Sequence, residues 1–205
     1  MLRFRILTLT AVLGLAASSA WAQNTLTAAE SQQGYKLLFD GKTLDGWEQR
    51  TTSQPDAKPD WSVQNGTLLC GGTAPSWIHT NDTYTDYQLK LQLRGPNLVN
   101  SGVFLRSQKE GAPHITGYEL QVWDKQPAGY NTGSLVGVVI APPATLKADV
   151  WNDYDVTLKG DRITVKINGK TVLLASDGLH SSGVIGLQCQ PEQRIEFRNI
   201  KVRTL

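Results

Sequence analysis

Residues 154–175, YDVTLKGDRITVKINGKTVLLA, leave this chain little choice of fold. Tyr154, Val156 and Leu158 alternate with polar residues, and so do Ile163, Val165 and Ile167. A period of two puts each apolar set on one face of an extended strand. Lys159-Gly160-Asp161 turns the chain once. Asn168-Gly169 turns it again; both residues tolerate φ > 0, and the pair is a strong hairpin signal. Alternating strands joined by tight turns predict an antiparallel meander with one buried face.

The pattern recurs along the chain. YQLKLQLR (87–94) alternates throughout, with Tyr87, Leu89, Leu91 and Leu93 on one face. GVFLRS (102–107) sets Val103 and Leu105 opposite Phe104 and Arg106. GYELQVWD (117–124) sets Tyr118, Leu120 and Val122 against Glu119, Gln121 and Trp123. SLVGVVIA (134–141) is nearly all apolar and reads as a strand covered on both faces, stopped by Pro142-Pro143. GVIGLQCQ (183–190) and RIEFRNIKVR (194–203) close the chain, and a parity shift between Phe197 and Ile200 predicts a bulge near Arg198-Asn199. About ten short strands without a long helix predict an all-β sandwich or jelly roll.

The first 22 residues read differently. Arg3 and Arg5 precede an apolar run, and Ala20-Trp21-Ala22 precedes Gln23. This is the pattern of a secretory signal peptide cleaved near Ala22, too short for a membrane span. It predicts a periplasmic or secreted protein with no membrane span. Residues 23–33 are polar and predict a flexible arm; residues 34–205 predict a single domain. The whole chain has 20 Lys and Arg against 18 Asp and Glu. Loss of Arg3 and Arg5 leaves 18 against 18. With no basic cluster, no nucleic-acid partner is expected. Cys70 and Cys189 are the two cysteines. An oxidising compartment permits a disulfide between them; two buried thiols are the alternative.

Five ordered motifs carry a resemblance: LLFDGKTLDGW (37–47), NSGVFLRS (100–107), GYELQVWD (117–124), WNDYDVTLKGDRITVKINGKTV (151–172) and GVIGLQ with IEFRNIKVR (183–203). Together they resemble the 3-keto-disaccharide hydrolase family. The resemblance implies a concanavalin A-like jelly roll of two curved antiparallel sheets. It also implies exported proteins acting on an oxidised, 3-keto disaccharide or glycoside. The family often continues GLQ with Asp-His-Gly, whereas this chain has Cys189-Gln190-Pro191.

No nucleophile elbow, phosphate loop, H-E-x-x-H or C-x-x-C is present. Ordinary glycoside hydrolysis uses two carboxylates flanking one bond. Glu119 and Asp124 are an odd number of residues apart, so a regular strand sends them to opposite faces. One carboxylate suits a 3-keto sugar, whose ketone acidifies the C2 proton. A base removes that proton, the aglycone leaves C1, and water adds to the enone. Such a site needs a general base, an enolate stabiliser and ring-orienting donors.

Glu119 is the candidate base, or a metal ligand, with a solvated strand residue as the alternative. Arg106 is the candidate enolate stabiliser, against a surface Arg in a weak ion pair. His79 is a candidate proton carrier. Gln121, Trp123, Asp124, Asn100, His114 and Gln188 are candidate substrate-binding residues; Asp124 could equally cap a turn, and Trp123 could equally be core. His180 reads as a turn residue. No cofactor is demanded, but Glu119 with His79 or His114 could hold a divalent cation. A non-catalytic carbohydrate-binding module is the competing reading.

Overall fold

In the computed structural model the described residues are 23–51, 59–71, 73–191 and 193–205. The expected leader, residues 1–22, lies outside them. The first strands are β1 (Lys36–Leu37), β2 (Trp47–Thr51), β3 (Trp61–Gln64), β4 (Thr67–Cys70) and β5 (Ser76–Thr80). They are followed by β6 (Tyr87–Arg94), β7 (Ser101–Ser107), β8 (Tyr118–Val122) and β9 (Asn152–Lys159). The chain ends in β10 (Arg162–Ile167), β11 (Lys170–Ser176), β12 (Val184–Cys189) and β13 (Ile195–Thr204). Two short helices, α1 (Ala28–Gln32) and α2 (Pro113–Thr116), complete the order.

These strands form two antiparallel sheets, the expected jelly-roll sandwich. The larger has eight strands in the order β11-β10-β9-β6-β13-β4-β3, with β1 pairing β13 at Lys201 and Val202, beyond the stretch that pairs β4. The smaller has the order β2-β5-β12-β7-β8. The alternation in β6 places Tyr87, Leu89, Leu91 and Leu93 in the core. Val103, Leu105, Leu120, Ile185 and Leu187 join that core from the smaller sheet. Each such side chain removed from water contributes about 1.5–3 kcal/mol before chain entropy is counted.

The turns are where the sequence puts them. Asn168 and Gly169 take φ of 50° and 79° between β10 and β11. The bulge in β13 falls between Arg198 and Lys201, with Asn199 at φ 52°. Trp47 donates its indole N–H to Leu38 O, bracing β2 against the N-terminal strand. Cys70 and Cys189 form a disulfide with a Cα–Cα distance of 5.6 Å. It ties β4 of one sheet to β12 of the other.

Two expectations are corrected. Residues 23–33 are tied to the sandwich through Asn24 and Glu30, although α1 buries no side chain. Asn24 and Asn199 exchange side-chain-to-backbone hydrogen bonds at 2.6 and 2.9 Å. Thr27 and Glu30 form a capping box on α1, and Glu30 pairs with Lys201 at 2.7 Å. The apolar run 134–141 is not a continuous strand. Gly137, at φ 75°, turns it back so that Leu135 pairs with Val139. Leu135 is buried while Val138 and Ile140 are exposed. Only its start serves the sheet: Ser134 O accepts from Gln121 N, and Val136 N donates to Glu119 O.

Candidate functional site

The outer face of the five-stranded sheet is built by register. Residues directly opposite each other across antiparallel strands share a face. Glu48, His79, Gly186, Phe104 and Glu119 form one such row across β2, β5, β12, β7 and β8. In the next row Arg50 and Gln188 flank Trp77, and Gly102 lies opposite Gln121. Glu119 and Gln121 therefore share the non-core face, as their parity predicted.

Two glycines let large groups lean across this face. A Cβ at Gly102 would stand 2.8 Å from Glu119 Oε1. A Cβ at Gly186 would stand 2.7 Å from the Trp77 ring. Glycine inside a strand marks such close approach, and both residues stand in readable motifs, SGV and VIG. Trp77 meets Phe104 edge-on at 5.6 Å, and together with Val184 they form a small apolar cluster. That cluster is the part of the face that sequence reasoning missed.

Glu119 is the chemically distinctive group. It is 6 % exposed. Its carboxylate leans over Gly102 and accepts a 2.9 Å hydrogen bond from Gln188 Nε2. Burial pushes its carboxyl from the ordinary value up to about 7, and the Gln188 bond pulls the other way. A carboxylate poised near neutrality suits a general base. Gln188 Oε1 is buried beside it without a partner among the described residues, an acceptor open to a hydroxyl. Gln121 is also buried, and its Oε1 accepts from Val122 N.

His79 shares the face but not the immediate surroundings of Glu119. Three strand spacings, about 14 Å, separate the two backbones. Between them stand Trp77, whose ring centroid is 4.6 Å from that of His79, and Phe104. His79 Nδ1 lies 3.0 Å from Thr80 O. A carbonyl only accepts, so Nδ1 carries the proton and Nε2 is an acceptor, buried without a partner among the described residues. Burial holds the imidazole below its ordinary range and so keeps it neutral.

Arg106 departs from the expected geometry. Residue 106 takes φ 55° where the β7–β12 register shifts, so strand parity fails there. The guanidinium donates to Thr85 O, Gly160 O and His180 O at 2.8–3.0 Å and pairs with Asp86 at 3.1 Å. It is 1 % exposed and clips β7 to three loops instead of facing Glu119.

The other candidates scatter. Trp123 lies one residue beyond β8, half-buried, with its carbonyl accepting from Thr132 N. Asp124 accepts from Thr132 Oγ1 and Leu146 N, which pins the loops after β8. Asn100 is half-buried just before β7, its N–H donating to Gln193. His114 is exposed on α2. His180 stacks edge-on against Tyr118 at 4.9 Å. Among the described residues no three of His, Cys, Asp and Glu converge as a metal-ligand cluster. No helix among them is long and apolar enough to cross a membrane.

Solved structures share this architecture. A candidate glycosyl hydrolase from Parabacteroides distasonis superimposes with a TM-score of 0.74 at 23 % identity, covering 89 % of this chain and 99 % of its own. A second from the same organism gives 0.65 at 26 % identity, covering 83 % and 99 %. The carbohydrate-binding module CBM66 from Bacillus subtilis gives 0.59 at 16 % identity, covering 76 % and 94 %. Comparison with curated proteins finds no match. Residues 34–203 match the family described as the 3-keto-alpha-glucoside-1,2-lyase-like domain, and the chain belongs to that family.

Proposed function

We propose that this protein is an exported enzyme that cleaves 3-keto-glycosides by elimination, with Glu119 as the base. The observation that carries the reading is the buried Glu119 carboxylate, raised to about 7 and held on Gln188. Glu119 takes the C2 proton that the C3 ketone has acidified. The electron pair passes to the ketone oxygen as an enolate. Return of that pair expels the aglycone oxygen from C1, which takes up a proton. Water then adds to the enone, so one water is consumed per bond cleaved. Amide N–H groups of Gln188 and Gln121 are the donors available for the enolate, since Arg106 is engaged elsewhere.

The test is incubation with 3-keto-trehalose, followed by mass spectrometry. The wild type releases the leaving sugar; Glu119→Gln keeps the fold and releases none. Full turnover by that variant removes Glu119 from the mechanism. Saturable binding by the wild type with no turnover of any 3-keto-glycoside favours the binding-module reading, for which CBM66 supplies only a shared fold.

A further inference from the structure

The opposite sheet carries a groove of its own. It occupies about 520 Å³ on the outer face of the eight-stranded sheet. Small-molecule sites span roughly 300–1,000 Å³. A row of charged residues crosses four strands on its floor. Lys201 lies opposite Lys90, Lys90 opposite Asp155, and Asp155 opposite Lys166. Neighbours in such a row stand about 4.8 Å apart, a separation one sugar ring spans.

The charges balance. Lys90, Lys166 and Lys201 stand against Glu30, Asp153 and Asp155, all lining the groove. Several are already held in place: Glu30 pairs with Lys201 at 2.7 Å, and Asp155 and Asp153 accept from Gln88 and Gln92 at 2.6 and 2.7 Å. An ionic ligand of either sign meets as much repulsion as attraction here. A neutral polyhydroxylated ligand meets neither. Each hydroxyl can donate to a carboxylate and accept from an ammonium.

Nearby aromatic rings carry cations already. Lys90 and Arg203 sit over Tyr35 at 4.9 and 5.3 Å, and Arg198 and Arg94 over Trp151 at 4.0 and 4.7 Å. Without a stacking platform, affinity rests on hydrogen bonds, and a dissociation constant of roughly 1 mM is expected. We infer that this groove is a second binding site, for a neutral oligosaccharide, on the face opposite Glu119. It would tether a glycan without acting on it.

The experiment is an amide chemical-shift titration of the Glu119→Gln protein with maltotriose and with cellotriose. Shifts at Lys90, Asp155 and Lys166 are expected with at least one of them. Lys166→Ala combined with Asp155→Asn should weaken binding at least about fivefold. Lys166 is exposed, and Asp155→Asn keeps a side-chain oxygen as acceptor for Gln88, so the fold survives. No shift on this sheet with either sugar overturns the inference. So does undiminished binding by the double variant, or an equal response to sucrose octasulfate. Shifts confined to the Glu119 face overturn it too, while the catalytic reading stands. Groove binding in a protein whose wild type turns over no 3-keto-glycoside supports the groove and removes the catalytic reading.

Discussion

The backbone of Gly102 lies beneath the carboxylate of Glu119, so close that a Cβ on residue 102 would stand 2.8 Å from Oε1. The carboxylate reaches Gln188 on β12 because no side chain rises from β7 between them. Alanine fits the extended backbone at this position, so the effect of Gly102→Ala is local. The new methyl displaces the carboxylate. A misplacement of about 1 Å costs on the order of a hundredfold in rate. Gly102→Ala should therefore lose turnover of a 3-keto-glucoside by that order, with its thermal midpoint nearly unchanged. Unchanged kcat would show that the carboxylate's position over β7 is irrelevant.

The raised Glu119 carboxyl predicts two opposite pH trends. As a base it works ionised, so kcat/KM should rise with pH through about 7. Stability runs the other way. Below the ordinary value of 4.5 the group is neutral in both folded and unfolded chains. Between 4.5 and about 7 the unfolded chain loses this proton first, so the folded state loses stability as pH rises. Above 7 the full penalty, roughly 3 kcal/mol, is present. Urea melts of wild type and Glu119→Gln should coincide near pH 4, with the variant more stable at pH 8. Coincidence at both pH values would place the carboxyl in an ordinary environment.

Arg106 is a stability residue. It makes four charge-assisted bonds while 1 % exposed. Arg106→Met leaves three carbonyls without this donor and leaves Asp86, which keeps the Gly160 N–H, without its cation, and a loss of roughly 3–5 kcal/mol is expected. Activity per folded molecule at low temperature should stay within a few-fold of wild type. A variant that is stable but inactive would restore Arg106 to the chemistry.

The disulfide closes a long loop between the sheets, with 119 residues separating Cys70 and Cys189. Chain-entropy arithmetic for such a loop gives about 5 kcal/mol. Reduction, or Cys70→Ala with Cys189→Ala, should lower the thermal midpoint steeply. Equal midpoints with and without reductant would mean that the sandwich does not depend on the bridge.

What the sequence made legible was whatever a short-range rule controls. Alternation placed the core face of β6 and the opposite faces of β8, and Asn168-Gly169 placed a hairpin. Thr27-Ala-Ala-Glu30 was readable as a capping box, yet polarity outweighed it and the segment was expected to be loose. Parity misplaced Arg106 because a single residue at positive φ reverses a side chain without changing composition. The run 134–141 misled because apolar content alone does not reveal the turn at Gly137. The Glu119–Gln188 contact depends on register across three strands, which no local pattern encodes. Its one local trace is the glycine at 102.

Gln188 should tune Glu119. Its amide N–H is the hydrogen bond that favours the ionised carboxylate, while burial alone opposes it. Gln188→Ala removes the favourable contribution and keeps most of the apolar surroundings, so the carboxyl should titrate still higher. The acid limb of the kcat/KM profile should move to higher pH. Near pH 6 the variant should be impaired more than at pH 9, where only the loss of an enolate donor remains. A residue that merely held the strand together would lower activity equally at every pH. A Gln188→Ala profile parallel to wild type across the range would therefore separate Gln188 from the ionisation of Glu119, and leave burial as the sole control of the base.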